Sequence, residues 1–175
     1  RQRYVSEYGV TLNGLHKLHG VDVGDYVVYV HAVPHPEYLE PNPALDTMLG
    51  RLRPYKAIFT NASQSHARRV LSALRVSPSH FECIFDFEAA GYCPKPDPEA
   101  YRRILDRLGA RGDQCVLVED NLRNLDTAKS VFDMTTVLVK KRGHGEKGQA
   151  DTSVQADLVI DDILELECAL REAMG

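Results

Sequence analysis

Glu119 and Asp120 stand side by side at the end of a short apolar run, Cys115-Val-Leu-Val-Glu-Asp120, and Asn124 follows four residues after Asp120. Adjacent carboxylates repel each other and resist desolvation. A bound cation removes both objections. Magnesium commonly takes one or two protein carboxylates and fills its other positions with water and substrate phosphate. Paired acids with no His or Cys beside them suit such a hard, oxygen-ligand ion better than zinc. The same stretch also reads as a plain helix start, since Asp and Asn are good caps. Two earlier features carry related chemistry. Thr60-Asn61 closes the apolar run Lys56-Ala-Ile-Phe59 just before a helix-like segment. A hydroxyl and unpaired N–H groups at a helix amino terminus bind phosphate; the alternative is that Thr60 or Asn61 only caps or turns the chain. Lys95 lies between Pro94 and Pro96, which restrict the backbone around it. An ammonium so placed neutralises a phosphate and supports the charge of a transferring group; otherwise Lys95 is an exposed loop lysine, the usual fate of that residue.

Hydrophobic patterning predicts the elements that position these groups. Ala44-Leu-Asp-Thr-Met-Leu-Gly-Arg-Leu-Arg53 places Leu45, Met48, Leu49 and Leu52 on one helical face and stops before Pro54. Strands are expected at 56–59, 81–87, 115–119, 135–139 and 158–160. Helices are expected at about 64–75, 98–109, 125–132 and 163–174, and a polar, Gly-containing loop at 140–155. This alternation predicts an α/β fold, a doubly wound parallel sheet covered by helices. In such sheets ligands bind beyond the carboxyl ends of the strands, where Thr60-Asn61, Lys95 and Glu119-Asp120 would converge. Residues 1–33 form a separate helical segment. Tyr4, Val5, Tyr8, Leu12, Leu15 and Leu18 approximate a stripe that Gly9, Gly14 and Gly20 interrupt, and 21–33 reads as either a strand or a short helix. Pro34, Pro36, Pro41 and Pro43 mark 34–43 as a linker to a core at 44–175.

Composition narrows the function classes. The chain has 175 residues, 43% hydrophobic and 26% charged, with a net charge of −4, as for a soluble globular domain. The short basic run Lys140-Lys-Arg142 is no nucleic-acid tail. No apolar stretch approaches the ~20 residues of a membrane span. Cys83, Cys93, Cys115 and Cys168 show no CxxC spacing and read as thiols of a reducing, cytoplasmic compartment. His16, His19, His31 and His35 lie close in sequence, but isolated His pairs lack a third ligand. The loop Gly143-His-Gly-Glu-Lys-Gly148 lacks the spacing of a phosphate-binding P-loop.

Taken in order, Ile58-Phe-Thr-Asn61, Pro94-Lys-Pro-Asp-Pro98 and Val118-Glu-Asp-Asn-Leu-Arg-Asn124 resemble the second, third and fourth motifs of the haloacid dehalogenase-like (HAD) hydrolase superfamily. Tyr8-Gly-Val-Thr-Leu-Asn-Gly-Leu15 is similar to the cap segment of its pyrimidine 5′-nucleotidase branch. The resemblance implies a Rossmann-like core with a small helical cap and a Mg²⁺-dependent phosphomonoesterase working through an aspartyl-phosphate. Splitting one hard step into two is what such a covalent intermediate achieves. The resemblance assigns Thr60 and Asn61 to phosphoryl oxygens, Lys95 to the nucleophile and phosphate, Glu119 and Asp120 to Mg²⁺, and Asn124 to orienting that shell or the loop. It implies a small phosphorylated metabolite as partner, a nucleoside 5′-monophosphate by the branch, with neither nucleic acid nor membrane involved. Tyr8, Thr11 and Asn13 would touch base or sugar, or simply pack the cap.

The family's first motif, Asp-x-Asp-x-Thr, which supplies the nucleophile and the general acid/base, has no counterpart here. Asp86-Phe-Glu88 is nearest but lacks the following Thr, and Asp161-Asp162 comes after the fourth motif. In the family that strand is the middle of the sheet. The expectation is that the sequence begins inside the cap, that ~20–40 residues precede it in the parent protein, and that residues 1–175 alone do not hydrolyse phosphomonoesters. The alternatives are a sugar-phosphate phosphatase or phosphomutase, a dehalogenase, which needs no Mg²⁺ and so leaves the paired acids unexplained, and a non-catalytic interaction module.

Overall fold

The computed structural model describes residues 11–21, 26, 39–140 and 155–174. The chain divides into two compact units, Arg1–Ala100 and Tyr101–Gly175. In the first, helix α1 (Thr11–His19) runs straight through Gly14, which is buried. One interior glycine costs a helix only about 1 kcal/mol relative to alanine, so the expected interruption does not occur. Tyr26 is helical. Tyr4, Val5, Tyr8, His31, His35, Pro34 and Pro36 lie outside the described residues, and with them most of the expected linker.

Helix α2 (Pro43–Arg51) starts within the proline-rich stretch. Proline suits a first helical turn because its missing N–H would be unpaired there anyway. Asn42 caps this turn, accepting from the Leu45 N–H at 3.0 Å. Met48 and Leu49 are buried beneath the helix. Asp46 Oδ1 accepts from the Ser77 N–H at 2.8 Å and meets His80 Nε2 at 2.7 Å. These bonds fasten α2 to the 3₁₀ turn Pro78–His80, and they hold the Asp46 carboxyl below its ordinary range, Ser77 contributing most and His80 next.

Strands β1 (Ala57–Phe59) and β2 (Cys83–Phe85) pair in parallel, with Ala57 opposite Cys83, Ile58 opposite Ile84 and Phe59 opposite Phe85. The Phe59 and Phe85 rings meet edge to face at 5.8 Å, a favoured aromatic geometry. Helix α3 (Gln64–Leu74) connects the two strands and packs on β2. Leu71, Val76, Phe85, Phe87, Ala90 and Ala100 are buried in this unit with Met48 and Leu49. The strand expected over 81–87 pairs only over 83–85, because Asp86 and Phe87 enter a turn closed by Ala90 N–H to Asp86 O at 3.0 Å.

Helix α4 (Pro98–Leu108) runs from the first unit into the second. There, β3 (Val116–Glu119), β4 (Thr135–Val139) and β5 (Leu158–Ile160) form a parallel sheet in that order. Helix α5 (Leu122–Phe132) links β3 to β4, and α6 (Leu166–Met174) follows β5 after a 3₁₀ turn. Tyr101, Ile104, Leu105, Leu125, Ala128, Met134, Val137, Ile160 and Leu166 are buried, and Tyr101 stacks on Phe132 with centroids 5.5 Å apart. Gly112 opens a 3₁₀ turn against the end of α5, where any Cβ would collide with the Phe132 carbonyl. Thr136, fully buried, donates its N–H and hydroxyl to Asp157 Oδ2 at 2.8 and 2.7 Å. Lys129 Nζ reaches Asp157 Oδ1 at 2.6 Å, so one carboxylate fastens the approach to β5 onto β4 and α5. The two sheets flanked by helices make this an α/β protein. None of the described helices is long and apolar enough to cross a membrane.

Candidate functional site

The carboxyl end of β1 is built by short-range turn chemistry. Thr60 continues the ladder by donating its N–H to Phe85 O at 3.0 Å. Its hydroxyl accepts from the Ala62 N–H at 3.0 Å, which turns the chain and leaves a hydroxyl proton for a further acceptor. Ser63 caps α3 by accepting from the His66 N–H. Asp86, at the end of β2, takes the Gln64 N–H at 2.9 Å on one oxygen and the Ala89 N–H at 2.9 Å on the other. The nearest look-alike of the missing nucleophile is therefore a bracket between two turns. A strand-end acid facing a helix start was the signal for it in the sequence.

Asn61 and Lys95 meet across 34 residues. Asn61 Nδ2 donates to Lys95 O at 2.9 Å, and Lys95 N–H donates to Asn61 Oδ1 at 2.8 Å. Lys95 is only 8% exposed, so it is no solvent-facing loop lysine. Its ammonium donates to Phe59 O at 2.8 Å and lies 4.7 Å from the Phe59 ring centroid. Burying an ammonium is costly without such partners. The Lys95–Pro96 bond is cis. Asp97 caps α4 by accepting from the Glu99 N–H at 2.9 Å.

In the second unit, Glu119 ends β3 and Asp120 follows in the turn, its N–H donating to Glu119 Oε1 at 3.1 Å. The cap of α5 is Asn121, which accepts from the Arg123 N–H at 3.1 Å. The cap residue is thus neither of the two acids. Asn124 lies in the first turn of α5, 6% exposed, and its Oδ1 is buried with no hydrogen-bond partner. Tyr101 donates its hydroxyl to Asn124 O at 2.8 Å. Burial, and then the Glu119 charge, pushes the Tyr101 phenol far above its ordinary range, which keeps it a donor. Among the described residues no three His, Cys, Asp or Glu side chains cluster as a metal site. Glu119 and Asp120 nonetheless offer a set of adjacent carboxylate oxygens, and magnesium needs no more from a protein. The set would underfill zinc or calcium.

The structure thus brings Asn61 and Lys95 together in the first unit, with Thr60 beside Asn61 in the chain, and in the second it places Glu119 and Asp120 at the end of β3 and Asn124 in the first turn of α5. His19 is exposed at the end of α1 and belongs to no group of three or more His, Cys, Asp or Glu side chains among the described residues. Tyr8 lies outside the described residues, as do the side chains of Thr11 and Asn13.

The model of the haloacid dehalogenase-like hydrolases matches residues 9–144. The chain belongs to this family. Among solved HAD structures, the HAD phosphatase from Thermococcus onnurineus superposes with a TM-score of 0.62 at 25% identity, covering 99% of this chain and 79% of that one. The L-2-haloacid dehalogenase from Xanthobacter autotrophicus gives 0.63 at 18% identity, with coverages of 78% and 63%. A haloacid dehalogenase-like protein of unknown function from Agrobacterium tumefaciens gives 0.60 at 18%, with coverages of 99% and 89%. The chain therefore spans less than two thirds of the dehalogenase it matches. No curated protein matches it in sequence. The HAD neighbours thus include both a phosphatase and dehalogenases on one fold, and fold alone does not choose between chemistries.

Proposed function

We propose that this HAD hydrolase is a Mg²⁺-dependent phosphomonoesterase acting on a small phosphorylated metabolite, with pyrimidine nucleoside 5′-monophosphates as the substrate class. The observation that carries the reading is the buried Lys95, its ammonium fixed at the carboxyl end of β1 one residue before Thr60. A fixed cation beside a hydroxyl donor suits the oxygens of a phosphoryl group, whose charge is spread over three atoms. Thr60 would donate its hydroxyl proton to one oxygen, and Lys95 would offset the charge of the group and of the attacking carboxylate. Glu119 and Asp120 would hold Mg²⁺, with Asn124 supporting them, and the ion would supply further charge neutralisation. The family's nucleophile motif, Asp-x-Asp-x-Thr, has no counterpart in residues 1–175. The paired acids favour a phosphatase over a dehalogenase, which has no use for a metal-holding pair. The cap similarity at 8–15 supports the nucleotide branch over sugar phosphates.

The test is turnover by the purified full-length protein with Mg²⁺ and after EDTA, on UMP, CMP, several sugar phosphates and L-2-chloropropionate. Metal-dependent release of phosphate, fastest from UMP or CMP, is the expected result. Preference for sugar phosphates overturns the substrate class. Chloride release overturns the reaction, and no turnover at all returns the protein to a binding role.

A further inference from the structure

We propose that Asn61 is a positioning residue: its amide holds Lys95, and not the substrate. The inference rests on the reading of Lys95 as the cation that faces the phosphoryl group. A side-chain amide carries the same donor and acceptor as a peptide bond, and Asn61 uses both on one residue. Its Nδ2 donates to Lys95 O at 2.9 Å and its Oδ1 accepts the Lys95 N–H at 2.8 Å. Both ends of the Lys95 main chain are therefore held by one planar group. The ammonium is held by Phe59 O at 2.8 Å, two residues before Asn61 in the chain. A single short segment, 59–61, thus grips Lys95 at its N–H, its carbonyl and its Nζ.

This arrangement fits poorly with direct contact between Asn61 and phosphate. The amide oxygen is committed to an N–H and would repel phosphoryl oxygens. One amide hydrogen is committed to a carbonyl. Lysine, by contrast, has a long side chain with large rotamer freedom, and freezing it in advance removes that cost from the moment of reaction. Asn61 acts through the placement of a charge that it does not carry.

Two measurements on the full-length protein test this. The first is a double-mutant cycle on p-nitrophenyl phosphate with Asn61→Ala, Lys95→Met and both together. Truncating a residue that aligns a charge lowers kcat by about 10- to 100-fold, with KM changing far less. If Asn61 works through Lys95, the double variant is no slower than Lys95→Met alone, because coupled residues are not additive. Multiplying losses would show an independent contact and overturn the proposal. The second is acylation of native protein by acetic anhydride, read lysine by lysine by mass spectrometry. In Asn61→Ala the Lys95 amine is expected to label about tenfold faster, as two neutral hydrogen bonds are lost. Lys56, whose Nζ is bonded to Leu52 O in the same unit, should keep its wild-type rate and so exclude general loosening. An unchanged Lys95 rate, or a parallel rise at Lys56, overturns the clamp. If no phosphomonoester is turned over yet Lys95 labelling rises selectively, the clamp stands and the phosphatase reading fails. If turnover is found with unchanged labelling, the reverse holds.

Discussion

Replacing Asp157 by Ala removes the acceptor that serves the fully buried Thr136. Two donors, the Thr136 N–H and its hydroxyl, then lose their partner. An orphaned buried donor costs about 1–3 kcal/mol, and water reaching a carboxylate that is 37% exposed recovers part of this, so the expected loss is about 2–3 kcal/mol. The Lys129 contact is worth less. Its side chain is 34% exposed and its partner 37%, and pairs this open contribute about 0.2–1 kcal/mol. Lys129→Met should therefore cost well under half of what Asp157→Ala costs in urea titrations at pH 7. The pH dependence follows from the same contacts. Partial burial pushes the Asp157 carboxyl up, but the hydrogen bonds from Lys129 and Thr136 outweigh it and bring the group down to about 2. An unfolded aspartate titrates near 3.9. A depressed folded value gives stability that is complete above pH ~4 and is lost as the pH falls toward ~2. With screening of the exposed carboxylate that part amounts to about 1 kcal/mol. The gap between wild type and Asp157→Ala should narrow over this window and stay constant from pH 5 to 8. The reasoning is refuted if Lys129→Met is as damaging as Asp157→Ala, or if the gap widens on acidification.

Two further outcomes follow from single residues. Gly112→Ala drives a methyl into the Phe132 carbonyl, a backbone atom that cannot swing aside. Overpacking of this kind costs about 1–3 kcal/mol, and a melting temperature within a degree of wild type would contradict it. Asn124→Leu removes a buried acceptor that has no partner, so calorimetry without metal should show a neutral or stabilising effect of up to about 1 kcal/mol. The same variant should weaken Mg²⁺ binding by about 10- to 100-fold, the usual cost of losing a supporting group; unchanged Mg²⁺ affinity by titration calorimetry would remove Asn124 from the metal shell.

Much of the fold was legible because its signals are local. Apolar runs marked the strands, Pro54 marked a helix end, and the polar residues at 60–61 and 119–120 marked two strand ends. Residues that bond across the chain were not legible in the same way. Nothing near Asp157 in sequence points to Thr136, 21 residues away, and residue 157 falls between the expected loop at 140–155 and the expected strand at 158–160. Asn61 was read for phosphate chemistry, but its bonds to Lys95 were not, because that partner lies 34 residues away. Helix capping could not be apportioned among neighbours: Ser63 and Asn121 take the caps, and not Thr60, Asn61, Glu119 or Asp120. Gly14 was weighted as a breaker, although a single glycine is a small penalty against the packing of a whole turn.

The grip of Asn61 on Lys95 also bears on the order in which the molecule assembles. Neither the turn after β1 nor the proline-flanked loop can place the ammonium alone. Closing a loop of this length costs entropy before any contact rewards it. The positive charge therefore reaches its station only after β1 and the 94–98 loop have met, and the helices on either side can form earlier without it. Because the Lys95 N–H is bonded to a side chain, its hydrogen exchange reports that meeting and no ladder or helix. A single amide thus serves as a clock for when the Lys95 ammonium takes its place in the first unit.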